Sequence, residues 1–268
     1  MISIVLKKAV EEYVSNFKVM LSFGVLFLFI PLFAFFSQFF LSSGTVFLSV
    51  NTSLLGIAGL VVALVFLYIF SFFVSLTVYS VHRDVQTISF DAYWNDLFKD
   101  AALKIFFLYL VFAVAFYIIS TLGFVFGFAF LALLINFVIG AAIMFAPQSI
   151  VLNGSSLVEG VERSVEFWFE SPALSVGLLL ISSILLAIIF LVELSLDLSG
   201  LPGTIISFLL VMVFLVPFIE QAKSYAYLLR VDLLKSNEVT HAHAPKKEKE
   251  KPVYSTRLRE RPKLGSKI

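Results

Sequence analysis

The sequence predicts an all-α, polytopic membrane protein: six transmembrane helices arranged as three hairpins, each preceded by an amphipathic helix at the membrane surface. Two long runs without Asp, Glu, Lys or Arg, residues 19–81 and 105–158, carry most of that prediction. The composition agrees, with 60% hydrophobic and 14% charged residues and a mean hydropathy of +1.02. Soluble domains hold about 25% charged residues. The third observation is the one-sidedness of the basic residues, developed below.

The first run is too long for one span of about 20 residues and fits two. They are placed at 19–41 and 54–81, with the Ser-, Thr- and Asn-bearing stretch 42–53 as connector. The second run divides into spans at 105–120 and 124–146, with Ser120-Thr121-Leu122-Gly123 as the expected turn and Pro147 as the expected end. Spans 172–192 and 203–223 follow, separated by a short linker holding Glu193, Asp197 and Gly200. Continuous apolar runs favour helices over a barrel, whose strands alternate in segments of about ten residues.

Under this topology all 19 Lys and Arg fall on one side, which places both termini in the cytoplasm and the chain in the plasma membrane. A cleavable signal peptide is not expected, because Lys7, Lys8, Glu11 and Glu12 interrupt the N-terminal apolar pattern. From Lys235 onward ten basic residues face four acidic ones without hydrophobic periodicity. Residues 1–234 thus form the membrane domain, and 235–268 read as a disordered basic tail attracted to anionic lipid headgroups.

Three charged segments have helical amphipathicity. In 2–17, Ile2, Leu6, Ala9, Val10, Tyr13 and Phe17 share one face. In 89–103, Phe90, Tyr93, Trp94, Leu97 and Phe98 do so. The third, 154–173, places Glu159, Glu162, Arg163, Glu166 and Glu170 on one arc, opposite Val158, Val161, Val165, Trp168 and Phe169. Tyr13, Phe17, Trp94, Phe98, Trp168 and Phe169 are the expected anchors at headgroup level. The five charges read as a solvated ion-pair stripe, because Arg163 lies four residues after Glu159 and three before Glu166. General acid–base chemistry would require these carboxylates to converge on a cavity.

Inside the spans, Asn136 either bonds a neighbouring helix or lines a polar cavity, and packing is the simpler reading. Pro31 and Pro217 are expected to kink the first and last spans. Glu220 and Lys223 read as an interfacial ion pair near the end of the last span, with a gate or substrate contact as the functional alternative. The absence of cysteine excludes disulfides and thiolate chemistry. His82, His241 and His243 have no metal-ligand spacing, and phosphate loops and hydrolase motifs are absent. No cofactor, metal or specific nucleic-acid partner is expected. The expected partners are the bilayer, anionic headgroups and a protein partner.

Pro147-Gln148-Ser149-Ile150-Val151, followed by Ser156 through Glu159-Gly160-Val161-Glu162-Arg163-Ser164, resembles a segment before the fifth span of a loose group of six-helix prokaryotic membrane proteins. That group includes uncharacterised archaeal proteins and the membrane domain attached to some bacterial glycerophosphodiester phosphodiesterases. The resemblance implies architecture and not phosphodiesterase activity, because the soluble catalytic domain has no counterpart here. The leading sequence reading is a non-enzymatic membrane-organising or partner-binding protein. The alternative is a permease for a small solute or lipid, with Asn136, Glu220, Pro31 and Pro217 on its pathway.

The topology makes a direct prediction. A reporter fused after Asn51 should read as external and one after Asn153 as internal. The same sidedness at both fusions would contradict the first two hairpins.

Overall fold

A computed structural model describes residues 2–15, 17–36, 39–42, 45–49, 53–86 and 100–241. The chain divides into Met1–Arg230 and Val231–Ile268. The expected amphipathic helix at 89–103, with its anchors Trp94 and Phe98, lies almost wholly outside the described residues, as do Asn51 and residues 242–268.

The elements are α1 (Ile2–Ser15), α2 (Phe17–Ser22), a 3₁₀ segment (Phe23–Leu28), α3 (Phe29–Phe35), strands β1 (Phe39–Ser42) and β2 (Thr45–Leu48), then α4 (Leu54–Gln86). After them come α5 (Ala102–Val125), α6 (Ala129–Ala142), α7 (Ala146–Asn153), α8 (Leu157–Glu170) and α9 (Pro172–Leu198). The last helical stretch comprises α10 (Gly203–Leu209), a π segment (Leu210–Leu215) and α11 (Val216–His241). Five stretches are long and apolar enough to cross a membrane: Leu54–Val81, Ala102–Val125, Ala129–Asn153, Pro172–Leu198 and Gly203–Arg230. By helix composition the chain is an integral membrane protein. Within hydrocarbon a helix satisfies its own backbone groups, which is why these runs take that form.

The expected span at 19–41 is not one long α-helix. It is divided among α2, the 3₁₀ segment and α3, and its end pairs as a hairpin with β2, Phe39 opposite Leu48 and Ser42 opposite Thr45. Pro31 sits in α3, just after the tighter winding, and has no N–H for the carbonyl of Phe27. Aromatic packing holds this region. Phe33 meets Phe39 at 4.5 Å and Phe66 of α4 at 5.2 Å, and Phe29 meets Phe66 at 5.4 Å.

The middle hairpin also reverses later than expected. α5 runs through Ser120–Gly123 and ends at Phe126-Gly127-Phe128. Gly127 adopts φ +75°, Phe128 N–H donates to the Gly123 carbonyl (2.7 Å) and Gly127 N–H donates to Phe124 (3.2 Å). This is a glycine-terminated helix cap that consumes the last free carbonyls. Gly123 has a separate role, because a Cβ there would lie 2.3 Å from the Ala132 Cβ on α6. The α9–α10 reversal repeats the cap at Gly200 (φ +75°), and Asp197 accepts the Gly203 N–H at 2.9 Å.

α4 is the central helix. Phe73, Val74, Leu76, Val78 and Tyr79 belong to a core shared with Phe23 and Leu26 of the 3₁₀ segment, Ile105 and Leu108 of α5, Ile150 of α7, and Phe208 and Met212 beyond. Its buried Ser71, Ser75 and Thr77 each donate to the carbonyl four residues back, so small polar side chains enter the core already satisfied. The outer faces of α5, α6 and α9 present Phe107, Phe130, Leu133, Leu180 and Ile184 outward, an exposed apolar surface suited to lipid.

α1 and α8 pack into the bundle, and their contact faces differ from the expected ones. In α1 the buried residues are Val5 and Ala9, Tyr13 is half-buried and Val10 is exposed, as is Phe17 at the start of α2. In α8 the buried line is Gly160, Ser164 and Phe167, while Val158 and Phe169 are exposed. α11 continues to His241, past the expected start of the tail at Lys235.

Candidate functional site

Pro147 was expected to end a span. Instead the helix breaks at Ile143-Met144-Phe145 and resumes as α7, with Pro147 in its first turn. Proline offers no N–H to the carbonyl four residues back and cannot continue the preceding helical ladder. In an apolar interior the backbone groups at such a break need other partners, and side chains from two helices supply them.

α8 provides the first set. Ser164 donates to the Ala142 carbonyl (2.6 Å) and accepts the Phe145 N–H (3.0 Å). The Trp168 indole N–H donates to the Ala141 carbonyl. α8 lies close enough to do this because Gly160 has no side chain; a Cβ there would stand 2.9 Å from Ile150 Cγ1. Ser156 starts α8 by accepting the Glu159 N–H, and Gly154, at φ +67°, ends α7. Ser155, in the turn between α7 and α8, shares a hydrogen bond with Ser149 at 3.1 Å.

α11 provides the second set. Lys223 Nζ donates to the Met144 carbonyl (3.1 Å) and to Glu220 Oε1 (2.6 Å). The other carboxylate oxygen of Glu220, Oε2, accepts from Gln148 Nε2 at 2.8 Å. Gln148 is fully buried, and Glu220 and Lys223 are each 6% exposed. The sequence reads the two as an interfacial ion pair near the end of the last span, with a gate or substrate contact as the alternative. Glu220 lies ten residues before Arg230 on the same helix, about 15 Å along its axis. Arg230 itself meets Glu170 and donates to the Ser171 Oγ (2.7 Å) where α8 joins α9. The Glu220–Lys223 pair is therefore an ion pair buried in the protein interior, within the apolar stretch Gly203–Arg230.

Around it the interior remains polar. Ser224 donates to the Glu220 carbonyl at 2.7 Å. Gln148 Oε1 and both amide atoms of Gln221 are buried without a hydrogen-bond partner among the described residues. A buried amide left in that state costs on the order of 1–3 kcal/mol per group. Rings of Phe145, Phe167 and Tyr227 stack across the α7–α8–α11 junction, with centroids 4.2 and 5.8 Å apart. Asn153 donates to the Tyr227 hydroxyl at 2.6 Å.

The second break is upstream of Pro217. The helix widens into the π segment, and the carbonyl that Pro217 cannot satisfy belongs to Val213, four residues back. Tyr13 of α1 donates its hydroxyl to that carbonyl (3.0 Å) and stacks on Phe214. Burial pushes the Tyr13 phenol up to about 12, which keeps it a donor. Tyr13 thus bonds backbone, where the sequence suggested a membrane anchor.

A cleft of about 310 Å³ opens between α9 and the π segment and α11. Phe70, Ser182, Ser183, Leu186, Leu215 and Glu220 are among its lining residues. Other predicted site residues lie elsewhere. Asn136 is glue within the α5–α6 hairpin, with Nδ2 donating to the Ser120 hydroxyl (2.8 Å). Glu159 pairs with Arg163 at 2.6 Å, Glu170 pairs with Arg230, and Glu162 and Glu166 are exposed, so the four carboxylates do not converge. No group of three or more metal-ligating side chains occurs among the described residues. Sequence reasoning missed Gln148. Its signal was a lone amide beside proline in a charge-free run.

Glu220→Gln and Lys223→Met should each lower unfolding stability in detergent by about 3–5 kcal/mol, because each leaves a buried partner uncompensated. The double variant should lose less than the sum of the two, by at least about 1 kcal/mol in a double-mutant cycle. Additive losses would place the two side chains apart.

No protein-family model matches the chain, and no curated protein or solved structure matches it, so the buried cluster stands on its own geometry.

Proposed function

We infer that this protein is a non-enzymatic, six-span permease-type membrane protein with its substrate site centred on Glu220, Lys223 and Gln148. The observation that carries this reading is the interior ion pair lying against one broken helix and just beyond another, beside amides with unfilled hydrogen-bonding capacity. Ionisable groups within a span are costly to retain, and discontinuous helices place polar backbone where solutes bind. A purely structural pair would more economically be apolar, since replacing a buried ion pair by packed hydrophobic residues is often neutral or stabilising.

The sixth span in this reading is the composite α2–3₁₀–α3. The 3₁₀ rise is longer than that of an α-helix, so these 19 helical residues extend about 31 Å, enough for a hydrocarbon core of about 30 Å. Both termini are cytoplasmic in this arrangement. The scaffold reading has less support, because α1 and α8 spend much of their contact faces on the bundle and its breaks.

The chain lacks cysteine, so one introduced thiol reports without background. Ser224→Cys, buried beside Glu220, should react slowly with a small water-soluble thiol reagent in the native bilayer, because a permeation site is visited by water. Reaction only after denaturation would make the cluster a dry structural joint and overturn the reading.

A further inference from the structure

We propose that the α9–α11 cleft binds a neutral lipid bearing a free hydroxyl, drawn sideways from the bilayer, with its hydroxyl at Glu220 and Ser183 and its chain along Phe70, Leu186 and Leu215. The proposal rests on the permease reading and names a substrate class for the edge of that site where Glu220 meets the cleft.

The position of the cleft comes first. Ser182 and Ser183 lie ten and eleven residues after Pro172 in the 27-residue α9, near its middle. Glu220 lies about 15 Å inside the Arg230 end of its own span. The cleft is open rather than enclosed, on a face whose neighbouring α9 side chains Leu180 and Ile184 are exposed and apolar. Its natural occupant is therefore a component of the hydrocarbon layer. A volume of about 310 Å³ is at the lower end of ligand-binding cavities, of order 300–1,000 Å³.

The polar atoms then select the headgroup. Ser183 is exposed and makes no hydrogen bond among the described residues. Ser182 donates to the Leu178 carbonyl (2.7 Å), which leaves its oxygen free to accept. Glu220 lines the cleft with a carboxylate already held by Lys223 of the same helix and by Gln148 of α7, and neither Lys223 nor Gln148 lines the cleft. The cleft thus presents acceptors and one uncommitted hydroxyl, without an exposed cation. A phosphate would meet the Glu220 charge at a depth where its own desolvation is prohibitive. A pure hydrocarbon chain would leave the serine hydroxyl without a partner. An uncharged hydroxyl can donate to the carboxylate edge and accept from Ser183, and it loses only a few kcal/mol of hydration on entering. The π segment widens the helix where the chain lies, through Val211 and Leu215.

The test uses the full chain in phosphatidylcholine nanodiscs with two probes carrying the same photoreactive acyl chain, a diacylglycerol and a phosphatidylcholine. The diacylglycerol probe should label the segments around 180–186 and 211–220, and excess unlabelled diacylglycerol should displace it. Leu186→Trp and Ser183→Phe, both at exposed positions, should each cut that labelling about tenfold by filling the cleft. Leu133→Trp on the outer face of α6 should leave it unchanged. Equal labelling by the two probes, or labelling insensitive to Leu186→Trp, would overturn the site. Cleft-specific labelling with an unreactive thiol at position 224 would support the lipid site and overturn permeation. A reactive thiol without preferential diacylglycerol labelling would overturn the lipid site and support a permease for an aqueous solute.

Discussion

Proline within an apolar span frees backbone groups that water cannot reach, and the placement of partners for those groups organises this structure. Pro147 interrupts one span and Pro217 another. Each break recruits a helix that would otherwise be peripheral. α8 is held by the bonds of Ser164 and Trp168 to the first break, and α1 by the bond of Tyr13 to the second. The two amphipathic helices are therefore structural partners of particular carbonyls, and the missing side chain of Gly160 permits the approach of α8.

The ion pair follows from the same constraint. Lys223 answers the Met144 carbonyl, which fixes its ammonium deep within the protein, and an isolated ammonium there would be untenable. Glu220 neutralises it, and Gln148, next to the proline that caused the break, holds the second carboxylate oxygen. One proline thus leads by successive steps of satisfaction to a buried charge pair. The sequence stretch from Pro147 to Ser164 reads as a single device: a break, an amide for the carboxylate, a turn at Gly154, a cap at Ser156, and the small contact face of α8.

Much of this architecture was legible from the residues alone. Charge-free runs marked the spans, and the position of Pro172 marked the start of α9. What escaped were features set by partners distant in sequence. Hydropathy assigned the end of the last span to residue 223, because Glu220 and Lys223 resemble a helix end when read locally. The helix in fact continues through Tyr225, Tyr227 and Leu229 to Arg230, and that moves the pair inward. The turn was assigned to the polar Ser120-Thr121, but the left-handed conformation at Gly127 decided it, and Thr121 simply bonds its own helix at the Tyr117 carbonyl. The composite helix at 17–35 and the β1–β2 hairpin depend on stacking among Phe29, Phe33, Phe39 and Phe66, which periodicity does not encode. Of the charge stripe on α8, Glu162 and Glu166 are exposed, while Glu170 pairs with Arg230 of α11. The opposite face held the information, in Gly160 and Ser164.

Hydrogen–deuterium exchange of the backbone amides at 143–146 in the Lys223→Met variant is the most direct measurement of the central claim. If Lys223 holds the break closed through the Met144 carbonyl, those amides should exchange about tenfold faster than in the native protein, while the α5–α6 turn at 126–128 is unchanged. Unaltered protection at 143–146 in a folded variant would contradict the claim that the buried cluster and the broken helix are one device.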